Sequence, residues 1–164
     1  MTEVADAESK SKHDWVPERL WKQVKHCMPI PCLDVILENS HEKILLGWRR
    51  ILPYRDVWAL PRGRLFKGER IRAAAVRILA KYRLSVRDLF LVGVFPIRFS
   101  SRSDVPICVA GRIAKGEATP DGKEFTSFRW TSQLPADLGT NYKRMIQQWR
   151  HMKRYPRLMR LCRL

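Results

Sequence analysis

No apolar stretch in these 164 residues approaches a membrane span. The longest runs, such as Phe90 to Pro96, fall well short of the roughly 20 residues a bilayer requires, and no apolar core of signal-peptide kind opens the chain. The expectation is a soluble, cytoplasmic protein. Close cysteine pairs are missing too. Cys27, Cys32, Cys108 and Cys162 are irregularly spaced beside apolar residues, unlike the paired ligands of zinc ribbons, and read as reduced core thiols. Acid is the third shortage: 16 Asp and Glu face 32 Lys and Arg, for a net charge of +16. A field of that sign attracts polyanions and supports salt-sensitive phosphate contacts. It is equally compatible with a solvated basic surface, because charge speaks to partners rather than to fold.

What is present suffices for one compact domain, with 45% hydrophobic residues to fill its core. Residues 1 to 14 are polar, mixed in charge and aperiodic, as in a disordered tail. The domain is expected over residues 15 to 155, with a basic extension over 156 to 164. Pro17 introduces a predicted helix from Glu18 to His26. Cys32 to Glu38 and Lys43 to Trp48 read as a hairpin around Asn39-Ser40-His41-Glu42, and Val57 to Leu60 as a short strand leading into Pro61-Arg62-Gly63. From Glu69 to about Arg83 the period changes, and Ile71, Ala74, Ala75, Ile78, Leu79 and Tyr82 share one helical face. Leu89 to Phe99, Pro106 to Ala114 and Phe125 to Trp130 follow as strands. Thr140 to Arg154 reads as a helix stopped by Pro156, its end so charged that truncation after Tyr142 is expected to leave a folded domain. Strands on both sides of helices describe a layered α/β domain with a mixed sheet, and no internal repeat is visible.

The segment Gly63 to Ser85 resembles the Nudix box: a Gly, five residues, a Glu, seven residues, then Arg-Glu-apolar-x-Glu-Glu-x-Gly-apolar. Gly63, Glu69, Arg77 and Leu79 fall in place. Pro29 to Gly68 sharpens the likeness, being similar to the GDP-mannose mannosyl hydrolase branch, as do Phe128-Arg129-Trp130 and Leu134-Pro135. The resemblance spans roughly Pro17 to Trp149 and implies the Nudix α/β/α sandwich with a mixed β-sheet. It also implies that Glu69 and Arg77 form a structural ion pair bracing the loop against the helix. The box's catalytic glutamates, which meet magnesium in the family, correspond here to Ile78, Lys81 and Tyr82, and none offers the carboxylate oxygens a hard divalent cation needs. The branch's general-base His corresponds to Phe125. Glu124 is the nearest replacement carboxylate, read either as a candidate catalytic acid or as a solvated residue. The family's Pro-Gly-Gly has become Pro61-Arg62-Gly63, and the Gly that ends the box helix has become Leu84, so the register could slip by a residue there. No Asp or Glu occurs between Glu69 and Asp88 to restore the set.

Binding candidates remain. The resemblance places Arg49, with Arg50 beside it, where the branch keeps an Arg toward the nucleotide diphosphate, and Arg62 and Arg64 on the adjoining loop. Lys81 would repel magnesium by about 4 kcal/mol per unit of the ion's charge at 4 Å and an effective dielectric of 20, yet suits a phosphate. Asp34 matches an Asp of the family's Leu-Asp strand. The run Asn141 to Leu164 carries Lys143, Arg144, Arg150, Lys153, Arg154 and Arg157 without an acid, with Trp149, Met152 and Tyr155 interleaved. That pattern suits RNA or a ribonucleoprotein surface, or a docked helix with a solvated basic face. Two functions from different classes follow. The first is a nucleotide-binding or nucleic-acid-binding protein without hydrolysis and without a cofactor. The second is a divergent hydrolase of a nucleoside diphosphate-sugar or other nucleoside diphosphate-X, for which magnesium would be expected. A ribonucleoprotein subunit using the fold as a scaffold is a third reading.

Overall fold

The computed structural model describes residues 16–164, so the tail expected to be disordered lies outside the described residues. The chain opens with α1 (Glu18–Cys27), which buries none of its residues. The central strand β1 (Ile30–Glu38) is buried at every position but Pro31, as its near-continuous apolar run requires. It lies parallel to β7 (Ser103–Lys115), in register from Ile30 opposite Asp104 to Glu38 opposite Arg112. On its other side β1 meets β4 (Arg62–Arg64) antiparallel, with Asp34 opposite Arg62. A second group surrounds β2 (Ile44–Arg49), which pairs antiparallel with β3 (Val57–Ala59) and β8 (Phe125–Thr131). The expected strand from Leu89 to Phe99 is divided into β5 (Ser85–Val94) and β6 (Ile97–Arg98), both antiparallel to β7. Proline at 96 interrupts the ladder there, since it has no N–H to donate. The short strand β4 was not expected, because Pro61-Arg62-Gly63 reads as a loop.

Two helices cover opposite faces of this mixed sheet. Gly63, opposite Leu33, lies under Ile78 of α2 (Ile71–Ala80). Phe90, opposite Ala110, packs on Trp149 of α3 (Thr140–Met152), with ring centroids 5.8 Å apart. Leu33 pairs with Ile107 while Asp34 pairs with Cys108, which shares its face with Ala110. Alternation along the strands then puts α2 and α3 on different sides. Among the described residues no helix is long and apolar enough to cross a membrane.

The end of α2 differs from expectation in an informative way. Its last turn closes with Arg83 N–H donating to the Ala80 carbonyl and Leu84 N–H to the Leu79 carbonyl, both at 3.1 Å. These are the two bonds of a Schellman motif. The left-handed residue is Arg83, at φ 59°, one place before the position expected to hold the family's Gly. Leu84 is buried and supplies the apolar contact that accompanies such a cap.

The C-terminal third is also more integral than its charge suggests. α3 buries Tyr142, Met145, Ile146, Trp149 and Met152, so its end is not dispensable; of the residues interleaved with the charges and expected to face RNA, Trp149 and Met152 are core and Tyr155 alone is exposed. Pro156 follows the end of α3 and also opens a further helix, α4 (Pro156–Leu161), where its missing N–H costs nothing. The residues beyond return to the sheet edge: Leu91 N–H donates to the Cys162 carbonyl at 2.8 Å and Leu164 N–H to the Leu89 carbonyl at 2.9 Å. Residues 162–164 are therefore hydrogen-bonded along β5. Trp149 is 2% exposed, so a Trp149→Ala variant should lose about 3–5 kcal/mol of stability, read as a lower urea midpoint at unchanged slope.

Candidate functional site

The box loop is held by one brace. Arg77 donates through Nε and Nη2 to the two carboxylate oxygens of Glu69 at 2.6 and 2.7 Å, and Nη2 also reaches the Arg64 carbonyl at 2.8 Å. Glu69 in turn accepts from the Phe66 N–H at 3.1 Å. The loop is thereby closed on α2 by a bidentate, charge-assisted pair whose carboxylate is almost wholly buried.

Beyond the brace, the helix meets the floor of the site. Ile78 is fully buried over Gly63, where any Cβ would collide with its side chain. Tyr82, also fully buried, packs edge-on against Phe125 and Phe128 with centroids 5.4 and 5.1 Å away. Phe125 lies directly on the Cα of Gly47 of β2, which leaves no room for a side chain there. The three positions that the resemblance assigns to catalytic carboxylates thus hold an aliphatic, an exposed ammonium at Lys81 on the helix C-cap, and a core phenol.

Glu124 is not the solvated residue that one reading anticipated. Its carboxylate forms an ion pair with Arg49 at 2.6 Å and accepts a hydrogen bond from the Tyr82 hydroxyl at 3.3 Å. Burial first, then the Glu124 charge, raises the Tyr82 pKa and keeps its proton in place. Arg49 is held in turn, donating from Nε to the Ile51 carbonyl at 3.1 Å and from Nη2 to that of Leu52 at 3.4 Å. It was expected to face a diphosphate, but its guanidinium is 6% exposed and bound to its own loop. Arg50 is the solvent-facing member of the pair, joined to Asp56 at 2.9 Å.

Magnesium can be tested against this arrangement. The ion needs hard oxygen ligands in near-octahedral array. Here the one carboxylate beside Tyr82 is neutralised by a guanidinium, and among the described residues no three His, Cys, Asp or Glu side chains converge to hold a metal. The residues present do not fit the ion.

The remaining arginines divide. Arg62, expected on a loop facing phosphate, lies instead in β4 with its side chain 6% exposed. It donates to Asp104 at 2.8 Å and stands 3.4 Å from Asp34. Two buried acids on neighbouring strands need a buried cation, and Arg62 is committed to them. Arg102 completes the group by pairing with Asp104 at 2.8 Å. Neither Asp104 nor Arg102 was singled out from sequence, although an Arg in place of a loop Gly could have prompted a search for buried acids. Burial outweighs the attraction of Arg62 and Arg49 and lifts the Asp34 pKa to about 6. Arg64 stacks on the Trp21 ring of α1 at 3.7 Å, and burial, then Arg102, lowers its pKa.

The C-terminal cations are partly spent as well. Lys153 bridges Glu38 and Glu42 at 2.8 and 3.2 Å, and Arg150 donates to the Ser132 carbonyl at 2.5 Å. Lys143, Arg144, Arg154 and Arg157 remain exposed.

Two expectations follow. Glu69→Gln should lower stability by about 1–3 kcal/mol, because the guanidinium loses a charged partner; an unchanged melting temperature would contradict the brace. The folded-state pKa of Asp34, about 6, exceeds the ordinary 3.8, so its contribution is fully present below about pH 4 and is lost as pH rises through 6. The wild type should therefore lose up to roughly 3 kcal/mol relative to Asp34→Asn between those values, measured by denaturation at a series of pH values.

With this geometry in hand, the comparisons place the chain. A model of the NUDIX domain matches residues 28–149. The chain is 32% identical over 120 residues to a Bacillus subtilis (strain 168) protein named "Putative 8-oxo-dGTP diphosphatase", covering 71% of this chain and 77% of the relative. Its fold superposes on a MutT NUDIX hydrolase from Burkholderia pseudomallei with a TM-score of 0.68 at 16% identity, over 74% of this chain and 98% of that one. The NUDIX domain of Shewanella oneidensis NrtR, solved with ADP ribose, matches with a TM-score of 0.62 at 20% identity, over 76% and 88% of the two chains. At those identities the structural likeness concerns the fold, but the domain model and the curated relative together show that this chain belongs to the Nudix family.

Proposed function

We propose that this chain is a Nudix-fold protein that binds a nucleotide or nucleotide-sugar without magnesium-dependent hydrolysis. The observation that carries the reading is the Tyr82–Glu124–Arg49 chain, in which a guanidinium occupies the electrostatic role of a cation beside the single carboxylate. A monovalent cation fixed by its own chain can offset a ligand's negative charge. It cannot lower the pKa of a bound water as a divalent ion does, so the attacking hydroxide is not generated. Phe125, packed into the core where the resemblance expects a histidine base, removes the second requirement. The ADP ribose named with the Shewanella oneidensis domain is a ligand of the class this reading assigns.

A second reading has one observation in its favour. The identity to the Bacillus subtilis relative supports a divergent hydrolase of a nucleoside diphosphate-X, with Glu124 as its acid; the GDP-mannose-like sugar substrate of this reading rests on the sequence resemblance alone. An RNA partner would rest on Lys143, Arg144, Arg154 and Arg157 with Tyr155 as the exposed ring, since Trp149 and Met152 are buried and unavailable for stacking.

Titration calorimetry with ADP-ribose, GDP-mannose and 8-oxo-dGTP, with and without millimolar Mg²⁺ or Mn²⁺, separates the two readings. We expect binding of at least one nucleotide with no gain on adding metal, and no phosphate or sugar release. Metal-dependent turnover that vanishes in Glu124→Gln would establish the hydrolase instead.

A further inference from the structure

α1 is a ten-residue helix that buries none of its residues, so the domain gains little core from it. What fixes it is a rim contact, the Arg64 guanidinium lying 3.7 Å over the Trp21 ring, with Lys25 5.6 Å from the same ring. Its last turn is basic, Lys25 and His26, and faces the β6–β7 hairpin. That hairpin is tied by Phe99 N–H to the Arg102 carbonyl at 2.8 Å, which leaves Ser100 and Ser101 exposed at its tip. Between the helix and the hairpin runs an open groove of about 430 Å³. Four of its lining side chains are basic, Lys25, His26, Arg98 and Arg102, three more are serines, and none is acidic.

The charge is organised as well as concentrated. Arg102 is anchored by the fully buried Asp104, with contacts of 2.8 and 3.0 Å, so its guanidinium is held in a set orientation at the groove. Lys25 and Arg98 form no ion pair among the described residues. Lys25 and Arg98, gathered beside Arg102 without an acid of their own, repel one another, and an anion seated between them removes that cost. Hydroxyl and guanidinium donors with an ammonium are the groups that grip phosphate oxygens. The volume lies within the roughly 300–1,000 Å³ of small-ligand sites, and the open ends suit a ligand that continues beyond it.

We infer that this groove is a phosphate-ester binding site, separate from the Tyr82–Glu124–Arg49 cluster, and that it takes either the phosphates of a free nucleotide or the backbone of a single nucleic-acid strand. The test uses the full chain and two probes: a short labelled single-stranded RNA followed by anisotropy over a salt series, and inorganic pyrophosphate followed by calorimetry. Lys25→Gln with Arg98→Gln removes two cations and should weaken binding about tenfold at low salt. For RNA, the slope of log affinity against log salt should shrink by about 0.7 per lost contact. Ser101→Glu should weaken binding without shortening any basic side chain, and circular dichroism verifies the fold of each variant. Lys115→Gln with Lys123→Gln, an equal charge loss elsewhere, should leave affinity within about twofold. Loss of RNA binding in the groove variants identifies a strand, and loss of pyrophosphate binding alone identifies a nucleotide phosphate. Groove variants that bind both probes like the wild type, or a wild type that binds neither at low salt, overturn the inference, as does RNA binding lost only in Lys143→Gln with Arg144→Gln.

Discussion

The contact between Ile78 and Gly63 sets the position of the box helix, and much of the site follows from it. Because a Cβ at residue 63 would collide with Ile78, the helix lies as close to β4 as a backbone permits. At that distance Arg77 reaches across to Glu69 and to the Arg64 carbonyl, which closes the loop. One turn further on, Tyr82 is carried against Phe125, which is itself pressed onto Gly47. Two side-chain-free positions, Gly63 under Ile78 and Gly47 under Phe125, thus define a seam at the C-terminal end of the helix filled by Ile78, Tyr82, Phe125 and Phe128. A seam built for carboxylates around a cation would be polar and held by charge; this one is held by apolar contact and close packing.

The distribution of acids explains why so basic a chain folds and why its surface is more basic than its composition. Asp34, Glu38 and Asp104 are buried, and Glu124 nearly so. Each has a cation beside it: Arg62 for Asp34, Lys153 for Glu38, Arg62 and Arg102 for Asp104, Arg49 for Glu124. Buried charge is tolerated only when paired, so these acids consume the arginines that a sequence reader would offer to phosphate. Among the cations left facing water are Arg98 on the β6–β7 hairpin and Lys143 and Arg144 on the outer face of α3, and Lys25 on α1 is half-exposed.

Much of the fold was legible because periodicity and core burial agree. The stripe of Ile71, Ala74, Ala75, Ile78, Leu79 and Tyr82 predicts a helix, and α2 buries four of its members within the helix and Tyr82 just beyond it. The site was legible where it rests on a pair at box spacing, as with Glu69 and Arg77. It was obscure where a side chain's partner comes from a distant strand. Nothing local reveals that Arg62 turns inward to Asp104, 42 residues away, or that Glu124 is met by Arg49. Pro156 misled for a related reason, since the residue that stops one helix is well suited to begin another. The charges around Trp149 hid an apolar stripe of Tyr142, Met145, Ile146, Trp149 and Met152, at the spacing that seats α3 on the sheet.

The residues that stand where the sequence resemblance places box carboxylates form a set, and their joint effect on stability is readable from their surroundings. Clustered carboxylates in a half-buried cleft repel one another and rely on a divalent ion to hold them together. Replacing one by Ile78 and another by Tyr82 converts that repulsion into burial, and the Tyr82 hydroxyl still finds an acceptor in Glu124. Arg49 then satisfies the remaining charge from within the chain, so the cluster does not depend on ion concentration. Returning a single carboxylate to position 82 would break this balance: it would stand beside Glu124, displace a ring packed on Phe125, and meet one guanidinium where two negative charges require more. The Tyr82, Phe125, Glu124 and Arg49 side chains therefore hold one another in place, and the physical step from this cluster back to a metal site requires several of them to change together.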